Sequence, residues 1–311
     1  MKGYSVSLCL VLILFACSSS PEETDASNEV RNRAAEYAEF GNSYFEQAQY
    51  EQALNFFNLA LQYNISVDYQ EGIVSSYNSI GKVFIATGNL DQAETNFLQA
   101  YTMAVDLEET ALIAQSANNL GEVSLRRGNF ANALTMFQEA LEYIGDNNTE
   151  PYVAILYNNI AIVYNRMDQL HQAEDYARTA LEINEANNVY SEIAANNYLL
   201  ASIFSKREEY EQAIEYARAA LETDKLIENS LGIAQDYYAL GIINRRADNL
   251  SQAYEHFKKA FLVYNTLNLA QDVIRTLQTL YEIAIELERT DEAASYAETL
   301  EQLGVTIDLN E

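Results

Sequence analysis

The chain has 311 residues, 49% hydrophobic and 21% charged, which is enough apolar side chain for a packed core and too little charge for global disorder. Acidic residues outnumber basic ones 46 to 18, and the formal charge of −28 argues against nucleic acid as a partner. Two prolines, no tryptophan and abundant Ala, Leu, Glu and Gln favour helices over a turn-rich sheet protein, so an all-α fold is expected.

Residues 1–16 read as a secretory leader: Lys2 supplies a minimal positive start, Leu8 to Phe15 an apolar run too short to span a bilayer comfortably, and Ala16 a small residue at its end. Cys9 and Cys17 are the only cysteines, so no thiol lies beyond residue 17, which excludes disulfide, zinc-thiolate and cysteine-nucleophile chemistry there. Leu14-Phe15-Ala16-Cys17 resembles the bacterial lipobox, with Phe15 bulkier than that family usually has. The resemblance implies that Cys17 is diacylated and becomes the first residue of an exported cell-envelope lipoprotein. Ser18 after it permits sorting to the outer membrane, facing either the periplasm or the surface. Two or three acyl chains, at about 0.8 kcal/mol per buried methylene, hold a protein to a membrane without a spanning helix. Membrane contact is therefore expected through the lipid anchor only. Residues 17–28, from Ser18-Ser19-Ser20-Pro21 through Asp25, are polar and lack an apolar period, which predicts a flexible tether.

From residue 29 to 303 the chain repeats with a period of 40. Gly41, Gly81, Gly121, Ala161, Ala201 and Gly241 share one position, and Ala53, Ala93, Ala133, Ala173, Ala213, Ala253 and Ala293 a second. A third column runs Ala60, Ala100, Ala140, Ala180, Ala220 and Ala260. The units so defined are 29–67, 68–107, 108–147, 148–187, 188–227, 228–267 and 268–303, with 304–311 left as a C-terminal tail.

Inside each unit the apolar residues fall three and four apart, as in Tyr77, Ile80, Gly81, Phe84 and then Leu90, Ala93, Phe97, Ala100, which predicts two amphipathic helices. Gly88-Asn89 and Gly128-Asn129 supply a helix-ending glycine and a capping asparagine between them. Small residues at the marked positions let the paired helices approach. Units four and five place Ala177 and Ala217 where other units have an aromatic, with Tyr176 and Tyr216 one position earlier, and Tyr281 breaks the small-residue rule in unit seven. The glutamates of unit seven, among them Glu282, Glu286 and Glu298, suit a polar end cap.

This pattern resembles the tetratricopeptide repeat, with unit two (Tyr77, Ile80, Gly81, Phe84, Ala93, Phe97, Ala100) and unit six (Tyr237, Leu240, Gly241, Ala253, Phe257, Ala260) the best matches and Asn244 a departure. The usual length is about 34 residues, so 40 resembles the longer-helix variant of peptide-binding adaptors. The resemblance implies a right-handed superhelical solenoid of seven helical hairpins whose first helices line a concave face. Two ladders fall on those helices. Asn78, Asn118 and Asn158 occupy one column, continued by Tyr198 and Tyr238, with Asn119 and Asn159 alongside. Asparagine both donates to and accepts from a peptide backbone, and equally bonds neighbouring hairpins together. Arg126, Arg166, Lys206 and Arg246 form a basic line, widened by Arg127, Arg207 and Arg245, where either an acidic partner or the helix dipole accounts for the charge.

Other chemistry finds no footing. His171 and His256 occupy different repeat positions without a metal-binding motif, the carboxylates form no singular catalytic pair, and the glycines follow the repeat and not a phosphate-cradling loop. No metal and no cofactor is expected. Most of the 23 tyrosines follow the repeat, and Tyr37, Tyr77, Tyr157 and Tyr237 share a packing position, which favours core use over sugar stacking. The leading reading is a membrane-tethered, non-enzymatic scaffold or adaptor that binds a protein or peptide segment. A carbohydrate-binding or nutrient-uptake lipoprotein is the alternative. Oligomeric state is not legible.

Overall fold

The computed structural model describes residues 21–145 and 151–305, with side chains from residue 26 onward. Cys17, the lipobox, the first part of the tether and most of the C-terminal tail lie outside these residues. The described residues form fourteen helices: α1 (Pro21–Glu46), α2 (Tyr50–Ser66), α3 (Gln70–Ala86), α4 (Leu90–Asp106), α5 (Thr110–Arg126), α6 (Phe130–Ile144) and α7 (Pro151–Arg166), followed by α8 (Leu170–Asn187), α9 (Tyr190–Lys206), α10 (Tyr210–Leu226), α11 (Ser230–Arg246), α12 (Leu250–Thr266), α13 (Ala270–Glu286) and α14 (Thr290–Gln302). Successive pairs make the seven hairpins. The first helix is longer than the repeat requires, because Pro21–Asn28, assigned to the tether from its polarity, is helical. Proline at the first helical position and acidic residues in the first turn both favour a helix start, so polarity alone is a poor sign of disorder here.

One turn geometry serves almost every connection. The residue in the left-handed region is glycine at Gly88 (φ 77°) and Gly128 (φ 76°), but a side-chain-bearing residue at most others, including Ala48, Asp168, Glu208 and Glu288. The next N–H reaches back five residues, as in Asn89 N–H to the Phe84 carbonyl (2.8 Å) and Glu209 to Phe204 (3.0 Å), which is the Schellman closure of a helix end. Asn89 and Asn129 then cap the following helix by accepting from Gln92 N–H and Asn132 N–H.

The chain divides into two compact units, Met1–Leu107 and Glu108–Glu311. In the first, α1 packs on α2 and α3 on α4, with α2 against α3. In the second, each helix from α5 to α14 packs on the next, and the first helices also meet one another, α5 with α7, α7 with α9 and α9 with α11. Neighbouring hairpins meet mainly where the second helix of one packs on the first helix of the next, and the first helices add a lesser contact.

Within a hairpin the core is set by one complementary pair, sixteen residues apart in sequence. A methyl on Gly41 or Gly121 would lie 2.5 Å from the ring of Phe57 or Phe137, and Gly81 and Gly241 face Phe97 and Phe257 in the same way. Units four and five pair alanine with alanine instead, Ala161 with Ala177 and Ala201 with Ala217, all fully buried in one cluster. Their missing volume is made up next door, where Tyr176 stacks on Tyr164 (5.6 Å) and Tyr216 on Phe204 (5.3 Å). Unit seven inverts the pair, Tyr281 opposite Ala297. The apparent departures from the repeat pattern therefore conserve volume, which close packing demands.

Candidate functional site

In the second unit, α7, α9 and α11 enclose a cavity of about 530 Å³. Four residues of the two sequence ladders line it, Asn158 and Arg166 from α7 and Tyr198 and Lys206 from α9. The remaining ladder residues lie elsewhere: Asn78 on α3, Asn118, Asn119 and Arg126 on α5, Asn159 on α7, and Tyr238 and Arg246 on α11.

The asparagines divide by environment. Asn78, Asn118 and Asn119 are buried. Asn159 Nδ2 donates to Asn118 Oδ1 (2.8 Å), and Asn196 Nδ2 donates to Asn158 Oδ1 (2.9 Å) while its own Oδ1 accepts from Asn184 (2.8 Å). These bonds run between successive hairpins, so in the second unit the ladder ties the stack together. Asn158 does so from the cavity wall.

The basic residues close helix ends: Arg126, Arg166, Lys206 and Arg246 are the last residues of α5, α7, α9 and α11, where a cation complements the exposed carbonyls. Lys206 Nζ donates to the Asn165 carbonyl (2.6 Å) and pairs with Asp168 (2.9 Å), each on the preceding hairpin. Arg246 donates to Ser205 Oγ (3.2 Å), and Arg126 pairs with Glu122 one turn back. Arg245 is held by Glu282 and Glu286, and Arg207 by Glu174 and Glu209. Much of the line is thus used in joining hairpins. Arg166 is exposed and lines the cavity.

At the other end of the cavity lie two residues that the ladders did not include. Asp224, at the C-terminal turn of α10, and Asp236 on α11 are 5% and 1% exposed. Asp224 accepts from Asn229 Nδ2 (3.0 Å). Burial, reinforced by the charge and hydrogen bond of Asp224, pushes the Asp236 carboxyl up to about 8, so it is protonated at neutral pH. The Tyr198 hydroxyl is raised as well, first by desolvation beside the cavity wall and second by Asp236, although the residue as a whole is exposed. The signal for this pair was in the sequence: their columns hold Asn64 with Ser76 in the first two units and Asn184 with Asn196 in the fourth and fifth, and only a comparison column by column exposes the acids.

His171 is exposed, and His256 is half-buried against Tyr237, its ring made harder to protonate chiefly by burial. Tyr37 packs against Tyr63 and Phe56, and Tyr157 against Tyr176, as the packing column predicts. Among the described residues no helix is long and apolar enough to cross a membrane.

Comparison with known proteins gives a consistent fold. The family model described as the MalT-like TPR region matches residues 41–229. No curated protein matches the chain. Among solved structures, the Rap conjugation gene regulator of plasmid pLS20 in complex with the Phr* peptide superposes with a TM-score of 0.66 at 14% identity, covering 96% of this chain and 84% of that one. Aspartyl phosphate phosphatase F from Bacillus subtilis gives 0.65 at 16% identity over 93% and 76%. BtubC from P. vanneervenii gives 0.57 at 16% over 77% and 92%. At such identities the likeness is one of fold.

Proposed function

This chain belongs to the MalT-like tetratricopeptide family, and from that premise we propose that it is a non-enzymatic adaptor which binds a peptide or protein segment between α7, α9 and α11 and is held to the bacterial envelope by a lipid on Cys17. One observation carries the binding reading: residues from three successive first helices converge on a single polar cavity that includes Asn158, Arg166, Tyr198 and Lys206. Hydrogen-bonding side chains beside an aromatic face and a cation suit an extended segment, whose backbone needs partners and whose side chains need pockets. A protein of the same fold holds the Phr* peptide. Arg166 is the group for an acidic residue of the segment.

The anchor reading is supported by Leu14-Phe15-Ala16-Cys17 and the polar residues after it. It places the adaptor at the outer membrane, where Ser18 permits sorting. Radiolabelled palmitate should be incorporated into the full chain and lost in Cys17→Ala; label retained in the variant removes the anchor.

For binding, the full chain is used to retain partners from an envelope extract, alongside Arg166→Glu. The exposed arginine contributes little to folding, so the variant should fold normally yet retain acidic partners about tenfold less, equivalent to about 1.4 kcal/mol. Equal retention by both proteins refutes the role of the cavity.

A further inference from the structure

The last hairpin ends in an unfilled seat. Against α13 and α14 lies an open groove of about 820 Å³, floored by Tyr281, Ile285, Ala294 and Ala297 and edged by Glu298 and Glu301. The same columns one repeat earlier are the surface on which the seventh hairpin sits. Phe257 clusters with Leu280 of α13, Phe261 packs with Val273, and Tyr254 meets Tyr296 of α14 hydroxyl to hydroxyl at 2.8 Å. The groove is therefore the place that an eighth hairpin would take. Its floor is still apolar, with Ile285 52% exposed, and exposed apolar surface of this kind marks a contact.

The first hairpin is uncovered on the opposite face. Phe40 is 44% exposed, whereas Ile80, Leu120, Ile160, Leu200, Leu240 and Leu280, its equivalents in later repeats, are all buried against the hairpin before them. Phe40, Tyr37 and Tyr44 gather around the ring of Phe56 (5.5, 6.1 and 5.3 Å).

Polar end faces would suffice for solubility. These two are in addition complementary, position by position. The columns that hold Phe257 with Leu280, and Tyr254 with Tyr296, at the last internal junction hold Ala297 with Phe40, and Ala294 with Phe56, at the free ends. In both, a small residue on one face answers a ring on the other, the exchange that close packing requires. The third pair changes chemistry. The columns of Phe261 and Val273 are apolar or aromatic in every other repeat, as in Leu61, Leu181 and Leu221 against Ile73, Ile193 and Ile233, yet the free ends carry Glu301 and Arg33. Two faces solvated independently have no reason to take opposite signs. Glu36, the other charge on the face of α1, falls opposite Gly304, in the columns that pair Asn64 with Ser76.

We infer that the seat receives a second copy of this chain: α1 and α2 of one molecule stack on α13 and α14 of another and continue the repeat across the contact. Phe40 rests on Ala297, Phe56 on Ala294, and Arg33 pairs with Glu301. The contact joins two different patches, so each addition leaves a seat free at one end and a first hairpin at the other, and association continues into rows or closes into a ring. The inference is independent of the cavity between α7, α9 and α11.

Two measurements test it. The full chain, extracted in mild detergent, is followed by sedimentation velocity over a dilution series. The mass should rise above that of a single chain with concentration. Arg33→Glu and Glu301→Arg, both at exposed positions, should each weaken association about tenfold by setting like charges together, whereas the chain carrying both exchanges should recover the natural strength. A chain that stays single at every concentration leaves the groove to its own C-terminal tail or to another protein, and overturns the stacking. Association indifferent to the single exchanges, or a double exchange no stronger than the singles, overturns the pairing of the two ends. The second measurement reads the geometry. Ser43 stands in the column of Ile283, which clusters with Tyr254, so exposed Ser43 and exposed Ala294 should adjoin across the contact. Ser43→Cys in one tagged chain and Ala294→Cys in another, mixed and treated with a short bismaleimide, should give a product that carries both tags. A product from Ala294→Cys alone means that two seats face each other, and overturns the head-to-tail arrangement.

Discussion

A carboxyl group that keeps its proton near neutrality must be shielded both from water and from cations, and Asp236 is 1% exposed with Asp224 as its charged neighbour. Its folded-state value of about 8 lies well above the ordinary aspartate value, so the folded chain holds a proton that the unfolded chain releases. The resulting stabilisation is complete below about pH 4 and is lost as pH rises through about 8. Asp236→Asn lacks this dependence, so its stability relative to the natural chain should grow by a few kcal/mol between pH 5 and pH 8 in urea unfolding. Parallel pH curves contradict the protonated pair. At the same scale, Glu208 sits at φ 64° in a turn where other connections use glycine. Glu208→Gly removes the clash of Cβ with the backbone and should raise stability by about 1 kcal/mol, read as a higher midpoint at unchanged slope. The acid pair escaped motif reading because neither aspartate belongs to a recognised spacing. Its meaning appears only against the neutral pairs that the other repeats hold in the same columns.

Each hairpin is a unit of volume, with glycine against phenylalanine in four repeats and alanine against alanine in two. Gly121→Ala drives a methyl into Phe137 and should cost about 1–3 kcal/mol, measured by thermal or urea unfolding. A cost near zero means that the ring moves aside and that the pair does not set the helix spacing. Helix positions were legible because the 40-residue period keeps apolar residues, turn residues and small residues in step, and the predicted hairpins agree with the observed helices. The start of α1 was not, because composition alone cannot distinguish a polar helix from a polar tether. The asparagine ladder was legible as a pattern but ambiguous as chemistry. Whether Asn118 bonds a ligand or Asn159 depends on the approach of α5 to α7, which the spacing within one repeat does not encode.

In the second unit the hairpins stabilise one another by stacking, so each apolar face depends on its neighbour. The seventh hairpin covers Phe257 and Tyr264, which are 0% and 2% exposed and cluster with Leu280, Ile283, Val273 and Leu277. A chain ending at Leu267 should therefore unfold at lower temperature and bind the dye ANS, whereas an unchanged unfolding temperature means that α13 and α14 contribute no cover. The polar outer residues of that hairpin, such as Glu298 and Glu301, suit the end of a stack. The same stacking that builds the core brings Asn158, Arg166, Tyr198, Lys206 and the two aspartates to one cavity from separate hairpins. The most direct test of that cavity as a binding site is photo-crosslinking from benzoylphenylalanine placed at Ser202, which lines it, and separately at exposed Glu215 on α10, in cells that produce the full chain. A discrete crosslinked partner from position 202, absent from position 215 and diminished by Arg166→Glu, is the predicted result; equal products from both positions, or products from 215 alone, contradict it.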